Sequence, residues 1–289
     1  MSDRSDPLRI DPAPDPVDPA IEPLLGEPFA GAWAASVHAG GAGDTGAAVA
    51  SPLRGRLLHR VSASHAASAS MVTTRVKKQA CAAVAPGVTA RMLYAAPGTR
   101  PLRPGEPLRA RLLELLPGSR WVGPDAACHR EWLVVRGAAR IGDQSLALRD
   151  YHAVAAGSPS GSVTSEHGAV LFLRESTLEA AAGDAALTVR DADAGWPAYA
   201  PGIRRRVLWQ RDGQAALLYH AQPGAAVPQH AHGHDEECLM VQGELFLDDL
   251  LLQEGDYQLA PAGTGHRVTE TDTGVVIYAH GDLDLQFVA

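Results

Sequence analysis

The chain has 289 residues, of which 46% are hydrophobic, with a net charge of −8. It is long enough for two ordinary domains and rich enough in apolar residues to bury a core. Arg204–Arg206 lies between apolar residues and Lys77-Lys78 is a lone pair, which argues against direct nucleic-acid binding, because phosphate neutralisation needs clustered cations. No run of ~18 apolar residues is present to span a membrane. Cys81, Cys128 and Cys238 form neither a disulfide framework nor a Cys-X-X-Cys pair. A cytoplasmic protein is expected.

Residues 1–24 are rich in Asp and Pro. They lack the apolar stretch of a signal peptide, and such a composition predicts a disordered tail. Residues 25–71 are read as a helical N-terminal segment. Ser51-Pro52 has the form of an N-cap followed by proline at the first helical position. Leu53, Leu57, Leu58 and Val61 then fall at helical spacing, which predicts a helix over residues 52–67. One isolated helix of that length is marginal in water, so its apolar side is expected to dock on the first of the β units that follow or on a second subunit, as in a homodimer.

From residue 72 onward a repeat organises the sequence. Its offset is 106 residues: Pro117-Gly118 matches Pro223-Gly224, Leu133, Val135 and Gly137 match Leu239, Val241 and Gly243, Asp150-Tyr151 matches Asp256-Tyr257, and Gly168 matches Gly274. The first copy carries an extra insertion around residues 101–107. Each copy reads as short apolar or alternating runs punctuated by Gly, Pro and Asp, exemplified by residues 216–220, 227–232, 237–242 and 275–279. That pattern predicts an all-β sandwich or barrel per copy, over residues 72–178 and 190–289.

The second copy holds the chemistry. His230 and His232 are two residues apart and share a face if they lie on a strand. Glu236 follows a short glycine-containing turn, and His266 returns after a turn with Pro261 and Gly263. Three imidazoles and a carboxylate suit a borderline-hard divalent ion, with Zn, Fe(II), Mn and Ni all compatible. In the first copy Pro124, Ala126, Arg130 and Ser160 stand at these places. One metal per chain is therefore expected, although Cys128, His129 and His152 are near enough in sequence to regroup. Cys238 should face the same interior as Glu236, as a small core residue or as a redox-sensitive thiol. His234 reads as a turn residue, His280 as a surface or core histidine, and Tyr151 and Tyr257 as packing residues.

The two blocks from Gly224 to Gly243 and from Gly255 to His266 resemble the two cupin motifs, with Glu270 where an asparagine is often found. The resemblance implies tandem jelly-roll (double-stranded β-helix) barrels, a bicupin. The run from His230 to Glu237, followed by residues 240–246, further resembles the cupin of ChrR-type anti-sigma factors. This narrower resemblance implies zinc as the metal, a sensor role in transcription regulation, and an extracytoplasmic-function sigma factor as partner. In that family the sigma-binding domain holds its own zinc through a histidine and a Cys-X-X-Cys; residues 22–50 contain no cysteine and only His38. The alternative is a metal-dependent enzyme acting on a small-molecule ligand, such as an Fe(II) dioxygenase, since cupins with this ligand set include both.

Overall fold

The computed structural model describes residues 69–123, 127–159, 161–181 and 184–288. The predicted disordered tail and the predicted helix over 52–67 lie outside the described residues. The rest is almost entirely β, as the punctuated apolar runs require.

In the first copy a seven-stranded antiparallel sheet runs in the order Leu187–Val189, Tyr151–Val154, His129–Gly137, Ala169–Ser176, Pro107–Leu115, Val88–Ala95, Cys81–Ala85. Four shorter strands, Ser119–Trp121, Val163–Ser165, Ala139–Ile141 and Gln144–Leu146, form a second sheet. The second copy repeats the plan with the corresponding strands Tyr257–Ala260, Glu236–Leu247, Val275–Asp282, Gln214–Ala221 and Ile203–Arg211. The register repeats as well: Ala169 pairs with Gly137 and Leu115, and Val275 with Gly243 and Ala221. Gly137 and Gly243 have φ of +73° and +78°. A Cβ at either would strike the carbonyl of Gly168 or Gly274, so both repeat glycines are sterically required.

Residues 227–232 do not form one strand. Ala225–Val227 and His230–Ala231 are separate strands, because Pro228 offers no N–H to a ladder. A second departure concerns the copy boundaries. Val72–Thr74, at the start of the first copy's range, pairs with Tyr257–Ala260 of the second. Reciprocally, Leu187–Val189, which immediately precedes the second copy's range and leads into it, pairs with Tyr151–Val154 of the first. The two clamps match: Asp256 accepts from Arg75 and the Val76 N–H, and Asp150 accepts from Arg190 and the Asp191 N–H. Each copy thus lends a strand to the other.

Strand alternation divides the apolar side chains between three clusters. Trp132 and Val134 point into the first copy, Cys238 and Met240 into the second, and Leu133 and Leu239 into a cluster shared by both. That shared junction also buries charge. Arg174 binds Glu131 at 2.7 Å and also Glu237, and it donates to the Gly105 carbonyl at 2.8 Å; all three charged side chains are at most 2% exposed. Tyr151 and Tyr278 donate to Glu131, and Tyr257 donates to Glu237. The two repeat tyrosines therefore do more than pack: they satisfy the buried carboxylates.

Candidate metal centre

His230 and His266 are brought together by strand pairing. His230–Ala231 lies antiparallel to Gly265–His266, with His230 directly opposite His266. His232 follows the strand, fixed by its N–H donating to the Thr264 carbonyl at 2.9 Å and its carbonyl accepting from Gly263. Glu236 opens the strand Glu236–Leu247, as its place after the Gly233 turn requires. All three histidines are buried, at 4% exposure or less.

Donor atoms of His230, His232 and Glu236 all lie within 4.8 Å of one another. His266 is not one of these three, but its ring lies beside them, its centroid 5.0 Å from that of His232 and 5.7 Å from that of His230. Each imidazole is held by Nδ1. His230 Nδ1 lies 3.1 Å from the Pro228 carbonyl and His266 Nδ1 lies 3.3 Å from Asp248 Oδ2. Both partners are acceptors, so both Nδ1 atoms carry the proton. His232 Nδ1 lies 3.3 Å from Thr264 Oγ1, which itself donates to the Pro261 carbonyl at 2.6 Å. The Thr264 hydrogen is thereby used, and His232 Nδ1 is again the donor. This tautomer leaves Nε2 as the ligating atom on all three rings, the arrangement that outer hydrogen bonds impose at metal sites.

A cation suits the space between them. His232 Nε2 and Glu236 Oε2 sit 2.5 Å apart, both are buried, and neither has a hydrogen-bond partner of acceptable geometry. Burial works to raise the Glu236 carboxyl, but contact with His232, then the charges of His230 and His266, hold it at about 2. Burial lowers His266 against the pull of Glu236; at His232 burial acts the same way, but Glu236 prevails and raises it. The carboxylate stays ionised, and beside it His232 favours a proton that a divalent ion could replace.

His230, Glu236 and His266 also line a cavity of about 60 Å³. Cys238 lines it too, as the two-residue spacing predicted. Burial, then the charges of Glu236 and Glu237, push its thiol well up, which opposes the reactive thiolate of the redox reading. His234 makes a 2.5 Å contact with Asp282 and is partly exposed. His280 is a core histidine stacked on Trp209, 3.5 Å from Glu131.

In the first copy Pro124, Ala126 and Ser160 lie outside the described residues. Arg130 is buried and donates to the Ser158 carbonyl. Cys128 turns to Glu175, His129 toward Glu131, and His152 to Thr188; three different partners leave no regrouped cluster. Asp248 and Thr264, which fix the ring tautomers, were not found from sequence. Both sit in turns, and only the pairing of distant strands brings them to the imidazoles. The Glu131–Arg174–Glu237 junction did leave a signal: charged residues inside apolar runs, two of them at matching repeat positions.

Residues 184–284 match the family model of the ChrR cupin-like domain. No curated protein matches the chain in sequence. Among solved structures, an oxalate decarboxylase from Lactobacillus farciminis in complex with formate superposes with a TM-score of 0.57 at 13% identity, covering 74% of this chain and 87% of that one. A candidate dioxygenase from Nostoc punctiforme gives 0.55 at 16%, covering 76% and 85%. Oxalate decarboxylase from Bacillus subtilis, a protein with Mn(II) centres, gives 0.54 at 15%, covering 73% and 77%. At these identities the likeness establishes the cupin jelly-roll fold alone. No helix among the described residues is long and apolar enough to cross a membrane.

Proposed function

We propose that this protein is a metal-binding bicupin acting as a sensor of the ChrR-like class, with one divalent ion held by His230, His232, Glu236 and His266 in the second barrel and the first barrel free of metal. The observation that carries the reading is the convergence of His230, His232 and Glu236, beside a cavity that His230 and Glu236 help to line. It is supported by the match of residues 184–284 to the ChrR cupin-like domain. A bound divalent ion would supply a Lewis-acidic point that attracts an oxygen-bearing ligand. This chain's own residues set the rest: Asp248, Thr264 and the Pro228 carbonyl orient the imidazoles, and Glu236 supplies the negative charge.

Zinc follows from the ChrR resemblance, as does an extracytoplasmic-function sigma factor as partner. Because residues 22–50 lack the family's zinc-binding cysteines, we expect the metal-loaded chain to purify without a sigma factor. A stoichiometric complex lost on deleting residues 1–70 would restore the full anti-sigma role.

An enzyme is the second reading, favoured by the cavity beside the ligands, which could admit a substrate. Metal analysis of protein purified with and without oxygen separates the two. Tightly held zinc without O₂ uptake supports the sensor. Iron with O₂ uptake supports a dioxygenase. Absence of stoichiometric metal in both preparations would defeat both readings.

A further inference from the structure

The interior of the second copy is open where that of the first is filled, and the strand register shows which residues decide it. Trp121 pairs with Val163 in the first copy; Val227 pairs with Thr269 at the same place in the second. At matching positions on the neighbouring strands, Trp132 and Leu173 in the first correspond to Cys238 and Ala279 in the second. Trp121 and Trp132 pack edge to face, 6.0 Å between centroids, inside the first copy's apolar cluster. Val227, Cys238, Thr269 and Ala279 instead line the cavity of about 60 Å³, room for roughly four to six water-sized atoms.

The lining is chemically one-sided. Apart from the metal-centre residues and Tyr219, Cys238 and Thr269 it is aliphatic, with Ile203, Leu245, Leu247 and Ile277 among its walls, and it includes no Lys or Arg. Of the lining's hydroxyls, one is left without a partner. Thr269 Oγ1 is buried and has no hydrogen-bond partner, a condition that costs ~1–3 kcal/mol. The first copy places valine at the same position, so the fold itself does not need a hydroxyl there. The Val227–Thr269 pair lies three residues along from the His230–His266 pair, roughly 10 Å of chain at strand spacing. A molecule with its head among the imidazoles would therefore reach Thr269 with its other end.

We propose that this cavity binds a short-chain aliphatic monocarboxylate, its carboxylate at the metal centre and an uncharged polar group at its far end satisfying the Thr269 hydroxyl. The proposal rests on the metal-centre reading above. Dicarboxylates are disfavoured, because a second carboxylate would be buried among mostly apolar walls whose lining holds no Lys or Arg to meet it.

The experiment is calorimetric titration of the full chain, its metal content measured first, with three four-carbon probes: 4-hydroxybutyrate, butyrate and succinate. The expected order is 4-hydroxybutyrate tightest, butyrate weaker, and succinate at least tenfold weaker than 4-hydroxybutyrate. Thr269→Val should bring 4-hydroxybutyrate down to the level of butyrate without loss of metal. Cys238→Trp, which installs the first copy's residue, should abolish binding of all three while metal remains; Ala279→Leu provides the same test with a smaller change if the tryptophan variant does not fold. Succinate binding as tightly as 4-hydroxybutyrate, binding that survives both filling substitutions, or no binding by a stoichiometrically metal-loaded chain would overturn the ligand assignment and leave the metal centre standing. Protein that takes up no metal would overturn both.

Discussion

Trp121 and Trp132 occupy the middle of the first copy, and Val227 and Cys238 stand at the same register positions of the second, beside the cavity. The backbones around them are paired alike. The difference teaches that the jelly-roll interior is not by itself a binding site: the volume of a few inward side chains decides whether the barrel is core or container. The same contrast holds for polar groups. The second copy aims three imidazole Nε2 atoms and a carboxylate inward, whereas in the first His129 and His152 are buried against different partners, Glu131 and Thr188.

The sharpest break of this comparison is at the ligands. His232→Ala or Glu236→Ala should abolish stoichiometric metal binding, and His129→Ala or His152→Ala should leave it intact. Metal analysis after gel filtration reads this directly, and normal content in both second-copy variants would remove the site assignment.

Next in size is the junction. Arg174→Met leaves Glu131 and Glu237 buried without their cation and should destabilise the chain by ~3–5 kcal/mol, measured by urea unfolding. A loss under about 1 kcal/mol would mean that the two carboxylates find other compensation.

Hollowing the first copy tests the volume argument. Trp132→Cys should cost ~3 kcal/mol, the low end for loss of a large core aromatic, because Trp132 Nε1 is itself buried without a partner. Unchanged stability would show that the first interior collapses around the gap.

The smallest effect is on pH dependence. Burial, then the charge of Arg174, lowers His280 to about 3, below its unfolded value of about 6.5. The unfolded chain thus binds the extra proton first. Stability from His280 is complete above about pH 6.5 and is lost as pH falls toward 3, by at most ~1.4 kcal/mol per unit. Glu131, held at about 2 against burial by His280 and Arg174, adds a loss below about pH 4.5. Burial raises Glu237 despite Arg174, which works in the opposite direction as pH rises. Comparing His280→Gln with the native chain isolates the histidine: the variant should lose less stability between pH 6.5 and 4.5, and parallel curves would count against it.

Much of this molecule was legible in one dimension. Alternation, turn residues and the repeat gave an all-β chain in two related parts, and the spacing of His230, His232, Glu236 and His266 marked them as one group because strand geometry converts short sequence intervals into shared faces. The exchange of strands 72–74 and 187–189 between the copies was not legible, since hydrogen-bonding edges carry no local sequence signal. Nor were the partners of the imidazoles: Asp248 lies 18 residues from His266, and only the fold of the intervening hairpin brings them together. Local sequence sets which way a side chain points along its own strand. Which distant group it meets, and whether the space it faces is filled or open, depends on how strands far apart in the chain pair and pack, and that was decided by the tertiary structure alone.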